Sequence, residues 1–258
     1  MPEGDTVYRA AKLLAGAFDG TVLTRCDVRV PKFATVDLTG ETVRETVSRG
    51  KHLLMRVGEY TLHSHLKMEG VWQVYRPGER WRRPEFKARA ILANEEAVAV
   101  GFELGLFEVV RTEDEDSVVG YLGPDLLGPD WDPAAAVDNL RSDPDREIGL
   151  ALLDQRNLAG LGNVYRCELC FLRGVLPTTP VGEVHDLERM VALGKKLIEA
   201  NKDRPERTTT GRLRGDTSWV YGRDGRGCLR CGTRVRRGEL GDSPLQLRVT
   251  YWCPRCQR

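Results

Sequence analysis

Four cysteines lie in two pairs near the end of the chain, Cys228-x2-Cys231 and Cys253-x2-Cys256, with 21 residues between the pairs. That spacing matches a four-cysteine zinc ribbon. Each pair supplies two thiolates from one tight knuckle, with Gly232 after the first and Pro254 inside the second. Four thiolates close a tetrahedral shell, so the expected ion is one structural Zn2+ with no open position for catalysis. Its binding would contribute on the order of 10 kcal/mol or more to folding a segment too small for its own core. A second pair, Cys167-x2-Cys170, falls inside a helical pattern, where positions three apart cannot form a knuckle, and reads as core thiols. Cys26 has no partner, and His63 and His65, on one strand face but without a nearby acid or cysteine, read as structural rather than as metal ligands. At the other end, Met1-Pro2-Glu3-Gly4 leaves a secondary amine on Pro2 once Met1 is removed. An α-amino group has a reference pKa of about 8, well below the roughly 10.4 of lysine, and so is a usable nucleophile near neutrality.

The elements that must position these groups fall into two kinds. Asp5, followed by Val7, Ala10, Ala11, Leu13, Leu14 and Phe18, predicts an N-capped amphipathic helix closing near Gly20. Short β-like runs follow at 22–30, 42–47, 52–57, 60–66, 71–74, 88–92, 97–100 and 106–110, a density that predicts a sandwich or barrel. The near-duplicated LGPDLLGPDWDP, residues 122–133, carries two Gly-Pro-Asp turns and marks a domain boundary. Beyond it the apolar period lengthens towards that of a helix. Asp132-Pro133 opens a helix through Leu140, further helices are predicted over 147–153, 164–172 and 187–200, and Gly160 and Gly162 turn the backbone before the third of these four. The polar, arginine-rich stretch 202–227 reads as a linker that stays mobile until it meets a partner. Between the cysteine pairs, 234–236 and 245–251 alternate as a β-hairpin would, placing Arg248 close to its exposed end.

The composition excludes several classes. The chain has 258 residues, 39 Lys+Arg against 38 Asp+Glu, and 41% hydrophobic residues. It is neither a low-complexity disordered chain nor a membrane protein, since no apolar run approaches the roughly 20 residues needed to span a bilayer. The first residues lack the basic start and apolar centre of a secretory signal, so a reducing, cytoplasmic location is expected. The net charge of +1 hides a segregation: residues 201–258 hold 14 Lys+Arg and 6 Asp+Glu, a net of +8, leaving −7 on the first 200. Residues 101–150 hold 13 acids and 3 arginines, and the run Glu113 to Asp116 reads as a solvated turn. In the basic C-terminal part, arginines interleave with Trp219, Tyr221, Tyr251 and Trp252, a composition suited to nucleic acid.

Five motifs in order, MPEG at the start, RGKHLL at 49–54, HLKMEG at 65–70, the stretch from Asp154-Gln155 through GLGNVY at 160–165 to Glu168, and Arg248 through the last cysteine pair, carry a resemblance to a known family. The chain resembles the formamidopyrimidine-DNA glycosylase and endonuclease VIII family from end to end, and most of all its actinobacterial endonuclease VIII-like branch. The resemblance implies an α+β fold: an N-terminal β-sandwich catalytic domain with flanking helices over 1–125, a helix-two-turns-helix domain over 132–201, the linker 202–227 and a zinc ribbon over 228–258, with DNA between the halves. It implies a bifunctional glycosylase and abasic-site lyase acting on double-stranded DNA that contains oxidised bases or abasic sites. The enzyme would be monomeric, without redox or nucleotide cofactor, and associated with the nucleoid only through DNA.

By the same resemblance Pro2 is the nucleophile at the anomeric carbon, Glu3 the acid/base carboxylate, and Lys51 a contact to phosphate and sugar near the lesion. Asn163 and Arg248 pinch the flanking phosphates, and Met68 fills the gap left by the flipped base. Two departures stand out: 101–107 has no arginine where the formamidopyrimidine branch takes a void filler, and Thr6 replaces a glutamate implicated in base binding. Both favour oxidised pyrimidines over 8-oxoguanine. The rival expectations are an 8-oxoguanine/formamidopyrimidine glycosylase and a zinc-ribbon DNA-binding protein without chemistry, in which Pro2 and Glu3 are incidental.

Overall fold

Val7, Ala11, Leu14 and Phe18 recur at three- to four-residue intervals on one face of helix α1 (Gly4–Phe18), and all four are buried. Burial of each large member is worth about 1.5–3 kcal/mol, which holds the helix on the sheet beneath it. In this computed structural model, which describes residues 2–258, the helix begins earlier than its sequence suggests. Glu3 is the N-cap, in extended conformation, and its carbonyl already accepts the Thr6 and Val7 amides at 2.9 and 3.1 Å. Asp5 is therefore not the cap. It lies buried within the first turn, where its carboxylate accepts the Thr6 amide at 2.8 Å and complements the helix dipole.

The eight short runs become eight strands: β1 (Arg25–Val28), β2 (Val43–Arg49), β3 (His52–Val57), β4 (Tyr60–His65), β5 (Val71–Tyr75), β6 (Ala88–Ala93), β7 (Val98–Phe102) and β8 (Leu106–Arg111). They form two four-stranded antiparallel sheets, ordered β1-β6-β7-β5 and β2-β3-β4-β8. Alternation puts Leu53, Met55 and Val57 of β3, Leu62 of β4 and Phe107 of β8 on one face, where they join Leu92 and Ala99 of the other sheet and the apolar face of α1 in a single core. The opposite face of the second sheet is polar. The acidic run does not simply lie in solvent there: just before the single-turn helix α2 (Asp116–Val119), the Glu115 carboxylate takes the Arg56 guanidinium at 2.8 Å and accepts the Thr61 hydroxyl at 2.5 Å. Arg56 and Thr61 face each other across β3 and β4, so Glu115 ties the chain back over the sheet.

The chain divides into two compact units between Tyr121 and Leu122. The second is helical at first, with α3 (Pro133–Arg141), the single turn α4 (Ile148–Ala151), α5 (Asn163–Arg173) and α6 (Leu187–Asn201) packed around Leu140, Ile148, Leu161, Tyr165, Leu169, Met190 and Ile198. Asp132 caps α3 by accepting the Ala134 and Ala135 amides at 2.9 and 3.0 Å, with proline in the first turn. The stretch 202–227, expected to be a linker mobile until it meets a partner, forms neither helix nor strand and is tied to α5. The wholly buried Glu168 of α5 accepts the Trp219, Val220 and Tyr221 amides at 2.7, 2.9 and 2.8 Å and takes a further bond from the Thr209 hydroxyl. A local reading of composition misses this because the anchor is 41 to 53 residues away.

The hairpin of the last segment is β9 (Arg236–Leu240) and β10 (Arg248–Trp252), later in sequence than expected for the first strand. Its connection 241–247 holds Gly241, Asp242 and Pro244, and Leu245 at its tip is fully exposed. No helix among the described residues is long and apolar enough to cross a membrane.

Candidate active site and phosphate clamp

Within the first unit, α1 packs on β2 and β3. The helix carries Glu3 at its head, and the two strands are joined by the turn that carries Lys51. Pro2 is half-buried and Glu3 has no exposed surface, a rare position for a carboxylate and one that removes it from bulk water. The removal of Met1 concerns a residue outside the described ones. Lys51 is the second residue of a two-residue hairpin turn whose first, Gly50, adopts φ +58, the left-handed conformation that such turns demand of glycine.

Met68 projects from the tight connection between β4 and β5 and is 58% exposed, unusual for an apolar side chain of its size. The connection is closed by the Gly70 amide bonding the Leu66 carbonyl at 2.9 Å. A Cβ on Gly70 would stand 2.5 Å from that same carbonyl oxygen, so the turn requires glycine. The chain between β7 and β8 is only Glu103-Leu104-Gly105, and a Cβ on Gly105 would collide with the stem of Lys67 at 2.2 Å. Position 105 therefore has no room for a long side chain. An arginine does reach the Met68 connection, but from another loop, where no local pattern announces it: Arg83 donates to the Glu69 carbonyl at 3.2 Å and pairs with Glu103 at 2.7 Å.

In the second unit the structure brings Asn163 and the Arg248 segment together. Asn163 is the first residue of α5, buried, and its side-chain amide donates to the Val249 carbonyl at 2.8 Å, while Arg248 opens β10 in solvent. One turn along α5, the guanidinium of Arg166 has no exposed surface; it donates to the Val249 carbonyl at 3.1 Å and the Thr250 hydroxyl at 2.5 Å. Its Nε and Nη1 have no hydrogen-bond partner among the described residues, nor has Asn163 Oδ1. A buried cation left with spare donors beside a helix N-terminus is a strong attractor for an anion. The residue type alone gives no sign of this, because an arginine on a helix is ordinarily solvated.

The sulfur ligands of Cys228, Cys231, Cys253 and Cys256 all lie within 4.8 Å of one another. Cys231 and Cys253 stand 3.5 Å apart and Cys228 and Cys256 3.9 Å apart, close to the roughly 3.8 Å edge of a tetrahedron with 2.3 Å Zn–S bonds. Burial pushes the Cys253 thiol up and the Cys256 thiol up to about 12, while hydrogen bonds at Thr233 draw Cys231 down to about 6. A divalent cation would resolve this conflict by ionising all four. Cys167 and Cys170 are wholly buried in two different apolar clusters and stand outside this group.

Residues 1–103 match the formamidopyrimidine-DNA glycosylase N-terminal domain and residues 122–200 the H2TH domain of the same family. This chain is a member of the formamidopyrimidine-DNA glycosylase and endonuclease VIII family. Among its relatives in the family is "Probable endonuclease 8 2" of Streptomyces coelicolor, 58% identical over 261 residues that span all of this chain and 94% of that protein. Another is "DNA-(apurinic or apyrimidinic site) lyase Nei2" of Mycolicibacterium smegmatis, 51% identical over all of this chain and 99% of the relative. The fold is that of MutM solved with DNA containing carbocyclic 8-oxo-G, with TM-score 0.82, 21% identity and full coverage of both chains.

Proposed function

We propose that this chain is a bifunctional DNA glycosylase and abasic-site lyase of base excision repair, acting on double-stranded DNA with oxidised bases, pyrimidines foremost. The observation that carries this reading is the whole-length similarity, at 51% identity, to a protein named as a DNA-(apurinic or apyrimidinic site) lyase. The geometry supports the assignment of roles. Pro2 offers a secondary amine, which displaces the base at the anomeric carbon, the base leaving with the bonding electron pair; loss of the amine proton and cleavage of the bond to the protonated ring oxygen then give a cationic imine. The cation acidifies the adjacent sugar protons, elimination of the 3′ and then the 5′ phosphate follows, and hydrolysis of the imine restores the amine.

Glu3, held out of water at the head of α1, is the proton carrier for ring opening and elimination. Lys51 holds phosphate and sugar oxygens near the lesion, and Met68, extended from its tight turn, enters the gap left by the flipped base. Asn163, the α5 N-terminus and Arg248 hold phosphates, with Arg166 supplying charge from beneath. One Zn2+ held by Cys228, Cys231, Cys253 and Cys256 would be structural, fixing the hairpin that presents Arg248. The protein acts as a monomer, with no redox or nucleotide cofactor.

Borohydride added to protein incubated with abasic-site duplex tests the chemistry. A covalent protein–DNA adduct at the N-terminus is expected with Met1 removed, as checked by mass spectrometry, and no adduct from correctly processed protein would sink the reading in favour of a DNA-binding protein without chemistry. Thymine-glycol and 8-oxoguanine duplexes compared side by side test the substrate. Faster excision of 8-oxoguanine would overturn the pyrimidine preference.

A further inference from the structure

On the polar face of the β2-β3-β4-β8 sheet, His52 lies directly across from His65, and His63 directly across from Glu108. Three hydrogen bonds link them to the end of the unit: Tyr121 hydroxyl to His52 Nε2 at 3.0 Å, His52 Nδ1 to His63 Nε2 at 2.7 Å, and His63 Nδ1 to the Glu108 carboxylate at 3.2 Å. Chemistry fixes the direction of this chain. An ionised carboxylate can only accept, so neutral His63 carries its proton on Nδ1 and presents a lone pair at Nε2. His52 Nδ1 must then donate, which leaves His52 Nε2 to accept from Tyr121. One tautomer per ring satisfies all three bonds.

The two linked rings are almost wholly enclosed, 7% and 1% exposed, and stack with centroids 5.0 Å apart. His65 meets His52 edge-on at 5.1 Å, and its Nδ1 accepts the Lys67 amide at 2.9 Å. His52 thus follows Lys51 directly in sequence and touches, through His65, the connection that holds Met68. The groups facing these rings are Lys51 beside β3, Lys67 after β4, Glu108 on β8, and Glu115 and Tyr121 beyond β8. Burial, reinforced by the neighbouring histidines and the two lysines, holds His52 down to about 3 and His65 to about 4; burial also lowers His63, against the pull of Glu108 and Glu115. The chain therefore keeps one protonation state at neutral pH.

We propose that His52 is a positioning residue for Lys51, fixing the Gly50–Lys51 turn and the Met68 connection in one relation through the directed chain Tyr121–His52–His63–Glu108. The proposal rests on the reading that Lys51 contacts the damaged strand. His52 is the first residue after the Gly50–Lys51 turn and pairs with Arg49 across it. A locked imidazole at this place fixes the backbone on which Lys51 stands.

The test is a double-mutant cycle on the rate of borohydride trapping in single turnover, with His52→Phe, Lys51→Ala and the pair. His52→Phe retains ring volume but neither hydrogen bond, and should slow trapping about tenfold. In the Lys51→Ala background it should change the rate less than about twofold, because the residue through which it acts is gone. Multiplicative effects would overturn the proposal. Should His52→Phe fail to fold, Tyr121→Phe, which removes only the outer link, replaces it in the same cycle with an expected loss of about threefold. An unchanged rate in Lys51→Ala removes the basis in Lys51, whereas absence of any adduct with the unsubstituted protein indicts the lyase reading itself. Nitrogen-15 spectra of the histidines provide a second readout. Protons on Nδ1 of His52 and His63 and on Nε2 of His65 are expected, and any other tautomer pattern at neutral pH would overturn the chain.

Discussion

Glu168 and Arg166 are neighbours on α5 with no exposed surface, and their charges are treated in opposite ways. The carboxylate of Glu168 accepts three backbone amides and a hydroxyl, so both of its oxygens are satisfied inside the fold. Glu168→Gln puts an amide NH2 against some of those donors and is expected to cost about 3 kcal/mol, read as a lower urea midpoint with unchanged slope. Arg166 instead retains donors without partners among the described residues. If its charge serves a bound phosphate rather than the fold, Arg166→Met should leave the urea midpoint unchanged or raise it, since replacing a buried charge by an apolar group of similar volume is often neutral or stabilising. Duplex binding should weaken, and the slope of log Kd against log salt should fall by about one. A large loss of stability with no change in slope would make Arg166 structural. The sequence marks Glu168 only as the end of a motif and gives no sign of Arg166, because the groups that each of them meets lie 41 to 84 residues away. Asp5 shows the same limit in another form: its type favours both a cap and a first turn, and only the backbone decides between them.

Elements were more legible than residues because their signals are local. The β3 run 52–57 coincides with its strand and most of the others lie within a residue or two, since alternation of apolar and polar side chains follows directly from one buried and one exposed face. The cysteine pairs were legible for a similar reason, each knuckle being four residues long. What could not be read was the far side of the second sheet, where Arg56 meets Glu115 and His52 meets Tyr121 across 59 and 69 residues. The ribbon hairpin offers a test at this scale. Arg248→Ala leaves the pairing of β10 with β9 intact and should not change metal uptake by the four cysteines, while lesion-duplex affinity falls about tenfold at low salt. If the four cysteines hold a structural metal, as proposed, a chelator should abolish binding together with the hairpin's β signal, because so small a segment folds with its metal. Full DNA affinity after complete chelation would separate the ribbon from DNA binding.

For the whole molecule the relevant electrostatic quantity is not the net charge of +1 but its distribution, and the protonation of the buried imidazoles belongs to the same account. His52, His63 and His65 are all held below the ordinary 6.5, with His52 near 3 and His65 near 4. Below pH 6.5 an unfolded chain takes up protons on these rings that the folded chain refuses, so the unfolded state binds more protons and stability falls as the pH falls. The stabilisation from keeping them neutral is complete above about pH 6.5 and is lost progressively down to about pH 4 for His65 and about pH 3 for His52, at no more than about 1.4 kcal/mol per pH unit per ring. Carboxylates in ion pairs, such as Glu115 and Asp154, also lose stabilisation in acid, but their ordinary values lie near 4, so the interval between pH 6.5 and 5 belongs to the imidazoles. Thermal unfolding from pH 8 to 5 should therefore show Tm constant down to about 6.5 and falling beneath it. His52→Phe should reduce that fall by the share of one ring, lowering Tm at pH 8 while converging on the unsubstituted protein towards pH 5. A constant difference between the two curves across this range would show that His52 does not enter the titration, and that its contribution to the fold is packing alone.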